Sequence, residues 1–168
     1  MFERDIISQL AAWKTDTNRK PLVVHGARQV GKTWTLKYFG REYFDDVAYF
    51  SLDKDESGLC DVFRTTKDPQ RIIQHLSFLH GKKIEPQTTL LILDEIQECN
   101  EALNALKYFC EEAPEYAVAC AGSLLGIYLN HVGKSFPVGK VNHLYMYPLT
   151  FTEFLRTKDP VMHEYMHS

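Results

Sequence analysis

The sequence predicts an α/β fold, a parallel sheet with helices on both faces, and three observations carry that expectation. Short apolar segments alternate with stretches of helical periodicity along the chain. One of them, Pro21-Leu22-Val23-Val24-His25, runs into Gly26-Ala27-Arg28-Gln29-Val30-Gly31-Lys32-Thr33, which fits G-x-x-x-x-G-K-[ST] and opens a helix-patterned stretch. Another, Leu90-Leu91-Ile92-Leu93, ends in two adjacent acids, Asp94 and Glu95. Ligands of open α/β sheets bind at the carboxyl ends of the strands, so both motifs belong at one sheet edge.

In chain order, Phe2, Ile6, Leu10 and Trp13 recur at helical spacing and predict an amphipathic helix over 2–15. A polar loop over 15–20 leads into the first strand, and the helix after the glycine loop carries Leu36 and Phe39. Residues 47–52 read as a second strand and 57–63 as a short helix. Asp68-Pro69 supplies an N-cap and a proline at the first helical position. That helix runs through Ile72, Ile73, Leu76 and Leu79 to a closing Gly81. Residues 88–93 form the third strand, and Asn100 is expected to cap a helix burying Leu103, Leu106 and Phe109 or Cys110. A fourth strand spans 116–121, a short helix 123–130 ends by Gly133, and 141–147 makes a fifth strand. Thr150-Phe151-Thr152-Glu153 has capping-box spacing and opens one last helix. Thr-Lys-Asp-Pro occurs twice, at Thr66–Pro69 and Thr157–Pro160, too short a phrase to be a repeat unit.

With 168 residues, 45% hydrophobic and 24% charged, the chain has the composition of a globular domain. A net charge of −3 supplies no electrostatic case for nucleic acid or an anionic membrane, and no apolar run reaches membrane-spanning length. Cys60, Cys99, Cys110 and Cys120 show no C-x-x-C spacing, so neither a zinc site nor a redox motif is indicated. Nothing at Met1-Phe2-Glu3-Arg4-Asp5 resembles a signal peptide, and the chain is expected to be cytoplasmic, with its thiols reduced. His163-Glu164-Tyr165-Met166-His167 matches H-E-x-x-H, but no third ligand follows and an exposed helix end is the better reading.

The glycine loop and the two acids carry the chemistry. Gly26 and Gly31 let the backbone curl so that its N–H groups, from Gly26 through Ala27, Arg28, Gln29 and Val30, form an anion nest at a helix N-terminus. Lys32 brings a positive charge to the β- and γ-phosphates and is expected to be exposed at the loop–helix junction. The Thr33 hydroxyl is placed to ligate Mg²⁺, and Trp34 is counted with the nucleotide contacts. Asp94 is assigned to Mg²⁺ and Glu95 to activation of the attacking water. His25 reads as a strand residue near the nucleotide, and Gln97 as bonded to its own loop in preference to positioning water. The chain lacks N-K-x-D for guanine and L-S-G-G-Q, and it has no arginine between Arg71 and Arg156 to furnish a kinase lid. ATP hydrolysis fits best.

These segments resemble the AAA+ superfamily. More narrowly, they resemble the prokaryotic ATP-binding proteins with an N-terminal AAA domain and a C-terminal domain of unknown function. The resemblance rests on the glycine loop, Leu93-Asp94-Glu95-Ile96-Gln97, Ala121-Gly122-Ser123-Leu124-Leu125-Gly126, Phe136-Pro137-Val138-Gly139-Lys140, and Pro148-Leu149-Thr150-Phe151-Thr152-Glu153-Phe154-Leu155. It implies a P-loop three-layer sandwich with five parallel strands in the order 5-1-4-3-2, spanning 1–168 as one ATPase domain. It also implies that Ser123 senses the γ-phosphate; by its own chemistry Ser123 is a hydroxyl at that sheet edge or a helix N-cap. Lys140 stands where the family carries arginine, and lysine cannot make the planar two-donor contact. A domain after Ser168 is expected from the resemblance. No arginine lies in 123–147, so Arg28, Arg41, Arg64 or Arg71 would have to serve across a boundary with another copy or a protein partner. ATP, ADP and Mg²⁺ are the expected ligands.

Overall fold

The computed structural model describes residues 5–27, 30–53, 58–123, 139–148 and 150–167. Its elements are α1 (Ile6–Thr15), β1 (Leu22–His25), α2 (Lys32–Tyr43), β2 (Asp46–Ser51), α3 (Leu59–Thr65) and α4 (Pro69–His80). They continue with β3 (Thr89–Asp94), a 3₁₀ turn (Ile96–Glu98), α5 (Asn100–Glu112), β4 (Ala117–Gly122), β5 (Asn142–Tyr145), α6 (Phe151–Lys158) and α7 (Pro160–His167).

The strands form a five-stranded sheet in the order β2-β3-β4-β1-β5, parallel throughout. Read from its other edge this is 5-1-4-3-2, the expected order. Alternation along the central strands shows why they read as unbroken apolar runs. Leu91 and Leu93 face one core with α3, α4 and α5, while Leu90 and Ile92 face the other with α1 and α2. Both faces are covered, so no polar alternation is left to see.

Several local expectations hold at the level of single bonds. Asp68 caps α4 by accepting from Gln70 N, Pro69 follows it, and Gly81 closes the helix in the left-handed region. Thr150 and Glu153 form the reciprocal capping box of α6.

Other expectations are corrected. Phe2 and Ser57 lie outside the described residues, as do residues 124–130 of the helix expected over 123–130, and Gly133. Leu79 is exposed, because α4 buries Ile72, Ile73 and Leu76 on a narrower stripe. Cys99, not Asn100, is the N-cap of α5, and no side chain caps it. The last helix is two: Asp159 leaves helical geometry after α6, and its carboxylate accepts from Met162 N at the start of α7. The second Thr-Lys-Asp-Pro thus starts a helix as the first one does. Cys60 and Cys99 are joined in a disulfide rather than reduced. They stand 39 residues apart in sequence, where spacing rules have no reach, and the docking of α3 on the start of α5 brings them together. Among the described residues, no helix is long and apolar enough to cross a membrane.

Candidate functional site

The two motifs meet at one edge of the sheet. The parallel register carries β1 and β3 in the same direction, so His25 and Asp94 both end at the carboxyl edge. Gly31 stands at φ +91°, a conformation open to glycine at little cost, and its carbonyl accepts the first α2 bond, from Thr35 N at 2.9 Å. α2 therefore points its N-terminus, and the unpaired N–H groups there, at the loop.

Lys32 is buried, not exposed as expected. Its ammonium folds back to donate to Gly26 O at 2.7 Å and Ala27 O at 2.6 Å, and the stem is covered as a result. Burial lowers its pKa, with Glu95 and Asp94 pulling the other way.

Asp94 shares the sheet face of Leu90 and Ile92, the face on which α2 packs. That parity aims its carboxylate at the second residue of α2. Thr33 Oγ1 donates to Asp94 Oδ2 at 2.6 Å, Tyr49 Oη donates to the same oxygen at 2.7 Å, and Glu95 N donates to Oδ1 at 2.9 Å. Asp94 is only 4% exposed, so these donors replace the water it has lost. Thr33 and Asp94 together offer hard oxygens from two elements at one point, which is the donor chemistry a Mg²⁺ ion takes.

Glu95 is held differently. It is one of two non-glycine residues described at positive φ, at +52°, a placement costing about 1 kcal/mol or more. Its carboxylate accepts from Gln97 Nε2 at 2.5 Å, and Ser123 Oγ stands 3.5 Å from the same oxygen. The Gln97 Oε1 is buried without a partner and lies against Gly122, where an added Cβ would meet it at 2.4 Å. Gln97 thus bonds its own turn, as expected, through the carboxylate assigned to water.

A cavity of about 420 Å³ opens over these groups, lined by Gly31, Lys32, Thr33, Glu95 and Ser123, with Trp34, Asp53 and Glu98 at its walls. Trp34 is partly exposed there and stacks on Tyr38. A second cavity, of about 380 Å³, lies between the start of α1 and the end of β5 and includes Gln9, Tyr145, Met146 and Tyr147. Val30 sits in the loop with its side chain buried, and Gly26 packs on the carbonyl of Met146, a residue that lines the second cavity. Arg28 and Gln29 lie outside the described residues.

His25, at the end of β1, is buried against β5. Its Nε2 shares a 2.8 Å hydrogen bond with His143 Nδ1, and its ring stacks between His143 and Tyr145. Burial, then the neighbouring His143, brings its pKa down to about 4.

Of the cations considered as partners of the γ-phosphate, Lys140, Arg64 and Arg71 are placed elsewhere. Lys140 precedes β5 at the opposite edge of the sheet and pairs with Glu111 at 3.2 Å. Arg64 pairs with Asp61 and Glu101, and Arg71 with Asp68. Lys32 is the one cation among the described residues lining the first cavity. Sequence reasoning missed Tyr49, Asp53 and Glu98. Tyr49 sits mid-strand among apolar residues, and only the pairing of β2 with β3 brings its hydroxyl to Asp94. His163 lies on α7, and the side chain of His167 is outside the described residues.

Comparison with known proteins agrees with this fold. The family described as AAA domain matches residues 18–155, from the loop before β1 into α6. The chain belongs to that family. Among solved structures, this AAA domain is similar to the Walker-type ATPase PABY2304 of Pyrococcus abyssi, at 18% identity and a TM-score of 0.60. That likeness covers 93% of this chain and 57% of the other, so the AAA domain spans a little over half of that protein's length. At this identity it shows the fold. A structure of C. elegans PCH-2 is similar at 13% identity and a TM-score of 0.48, over 84% of this chain and 41% of that one. No curated protein matches the chain.

Proposed function

We propose that this AAA domain binds Mg·ATP and cleaves it with water to ADP and phosphate. The observation that carries the reading is the meeting of Lys32, Thr33, Asp94, Glu95 and Ser123 around one cavity at the carboxyl edge of the sheet. The loop amides from Gly26 to Gly31 and the α2 N-terminus take the phosphates. Lys32 exchanges the carbonyls of Gly26 and Ala27 for phosphate oxygens, which its position between loop and acids allows. Thr33 and Asp94 would hold Mg²⁺, which when bound neutralises charge on the β- and γ-phosphates. Glu95 takes the proton of the attacking water, and Ser123 stands beside it to contact the γ-phosphate. The base would enter the second cavity, where Tyr145 and Tyr147 offer faces and Gln9 an amide. We take residues 1–168 as one ATPase domain acting in the cytoplasm; a reducing compartment there would open the Cys60–Cys99 bond.

A second reading has a specific observation behind it. Gln97 occupies the Glu95 carboxylate, and among the described residues no arginine lines the cavity. A domain so built can hold nucleotide and use the bound state to govern a partner, with little turnover. Incubation with ATP and Mg²⁺, followed by separate assays of bound nucleotide and released phosphate, tests both. Phosphate release at many turnovers per chain supports hydrolysis. Retained ATP with less than one turnover supports gating. ATP consumption that depends on an added acceptor would point to a phosphotransferase instead.

A further inference from the structure

Tyr49 is an unassigned, partly buried polar group beside the pair proposed to hold the cation. It lies in β2 opposite Ile92 of β3, two residues short of the level of Asp94. Ser51, at the level of Asp94, lies nearer, yet its hydroxyl donates to Asp53 at 2.9 Å instead. The Tyr49 ring spans the intervening distance, about 6–7 Å along a strand, and its hydroxyl donates to Asp94 Oδ2 at 2.7 Å. The Lys37 ammonium stands 3.8 Å from the ring centroid, on the next turn of the helix that begins with Lys32 and Thr33. The ring is thus fixed from one side by α2 while its hydroxyl fixes the acid.

We propose that Tyr49 is a positioning residue for Mg²⁺, holding the Asp94 carboxylate in the orientation that, with Thr33, receives the ion. This rests on the Mg·ATP reading above. Asp94 Oδ2 accepts from both Thr33 and Tyr49, whereas Oδ1 is occupied by Glu95 N. When the Thr33 oxygen turns a lone pair to the cation, its hydroxyl can still donate to Asp94 Oδ2. Tyr49 keeps the carboxylate from following the cation's charge into another rotamer. A hydrogen bond one step removed from a metal sets its affinity by orienting the group that touches it, commonly by about 10- to 100-fold.

The bland alternative is that the hydroxyl merely satisfies a buried acid and matters only to stability. Tyr49→Phe separates the two, because it keeps the ring beneath Lys37 and removes one oxygen. The measurement is the Mg²⁺ concentration giving half-maximal tightening of a fluorescent ATP analogue, with affinity in EDTA and the thermal midpoint recorded alongside. The expected result is a rise of about tenfold in half-saturating Mg²⁺, with EDTA affinity unchanged. Mn²⁺ binding to the analogue-loaded domain, read by paramagnetic resonance, should weaken in parallel. An unchanged Mg²⁺ requirement in a folded Tyr49→Phe would overturn the proposal, even if the thermal midpoint drops. The parent and Asp94→Asn keep the two readings apart. If the parent shows no Mg²⁺-dependent binding, the nucleotide-site reading itself fails. If the parent depends on Mg²⁺ and Asp94→Asn loses that dependence while Tyr49→Phe keeps it, only the role of Tyr49 fails.

Discussion

Asp94 and Glu95 are neighbours in sequence, yet their surroundings differ in kind. Asp94 closes β3 with ordinary strand geometry, buried, and takes donors from α2, β2 and the following amide. Glu95 leaves the strand at positive φ, and Gln97 from its own turn holds its carboxylate. The half of the site proposed to hold the cation is assembled by the core of the fold. The half proposed to activate water sits on a turn where Gln97 holds its carboxylate, and among the described residues no arginine lines the cavity. On the proposed reading, local geometry separates holding a nucleotide from cleaving it.

The largest effect should come from breaking the second half alone. Glu95→Gln keeps size and polarity but cannot take a proton, so single-turnover hydrolysis should fall by about 10²- to 10⁴-fold, while ATP affinity measured by titration stays near that of the parent. Hydrolysis at the parent's rate would place the base elsewhere. Breaking the first half comes next. Lys32→Ala removes a charge-assisted contact worth about 1.5–3 kcal/mol, and ATP affinity should drop by roughly 10- to 150-fold. Its side chain is buried against the loop, so the thermal midpoint is expected to fall modestly as well; an unaltered affinity would contradict the phosphate-site assignment. A subtler change sharpens the contrast. Gly122→Ala puts a Cβ 2.4 Å from Gln97 Oε1 and should displace Gln97 from Glu95. Turnover should then change several-fold, in either direction, with ATP affinity constant. Equal changes in both would mean that Gln97 serves the whole site rather than its catalytic half.

The smallest effect concerns the strand that delivers the loop. His25 titrates near 4 rather than its ordinary 6.5, because burial and then His143 disfavour the imidazolium. Between those values the unfolded chain takes up a proton that the folded one refuses. Stability is therefore fully present above pH 6.5 and lost as pH falls toward 4. At about 1.4 kcal/mol per unit, the loss between pH 7 and pH 5 is about 2 kcal/mol. Urea midpoints at the two pH values should show it, and His25→Asn should show less of it.

What was legible in the sequence follows the range of the physics involved. Strand, loop and helix around Gly26–Thr33, the cap at Asp68 and the capping box at Thr150 are governed by residues within a few positions of one another. Each was readable. The second Thr-Lys-Asp-Pro was readable too, since Asp159-Pro160 repeats the cap and proline of Asp68-Pro69, but it was absorbed into one long helix. The Asn100 cap was displaced by one residue because the 3₁₀ turn after Glu95 supplies the start of α5 itself. Contacts that depend on strand pairing or helix docking were out of reach. They include the Tyr49 hydroxyl on Asp94, the Cys60–Cys99 bond and the pairing of Lys140 with Glu111 at the far edge. Lys32 was misjudged as exposed because its burial comes from folding back on the loop's own carbonyls, which no spacing rule shows.

The division between holding and cleaving is tested most directly by steady-state phosphate release as a function of protein concentration, at saturating ATP and Mg²⁺. An arginine at the γ-phosphate is worth about 10³- to 10⁵-fold in P-loop NTPases; among the described residues none lines the cavity, and on the proposed reading it arrives from a second copy or a partner. The expected result is tight ATP retention with slow turnover per chain, rising as concentration increases and copies meet. Fast turnover per chain, constant down to the lowest concentration, would contradict it and show that one copy carries a complete catalytic site.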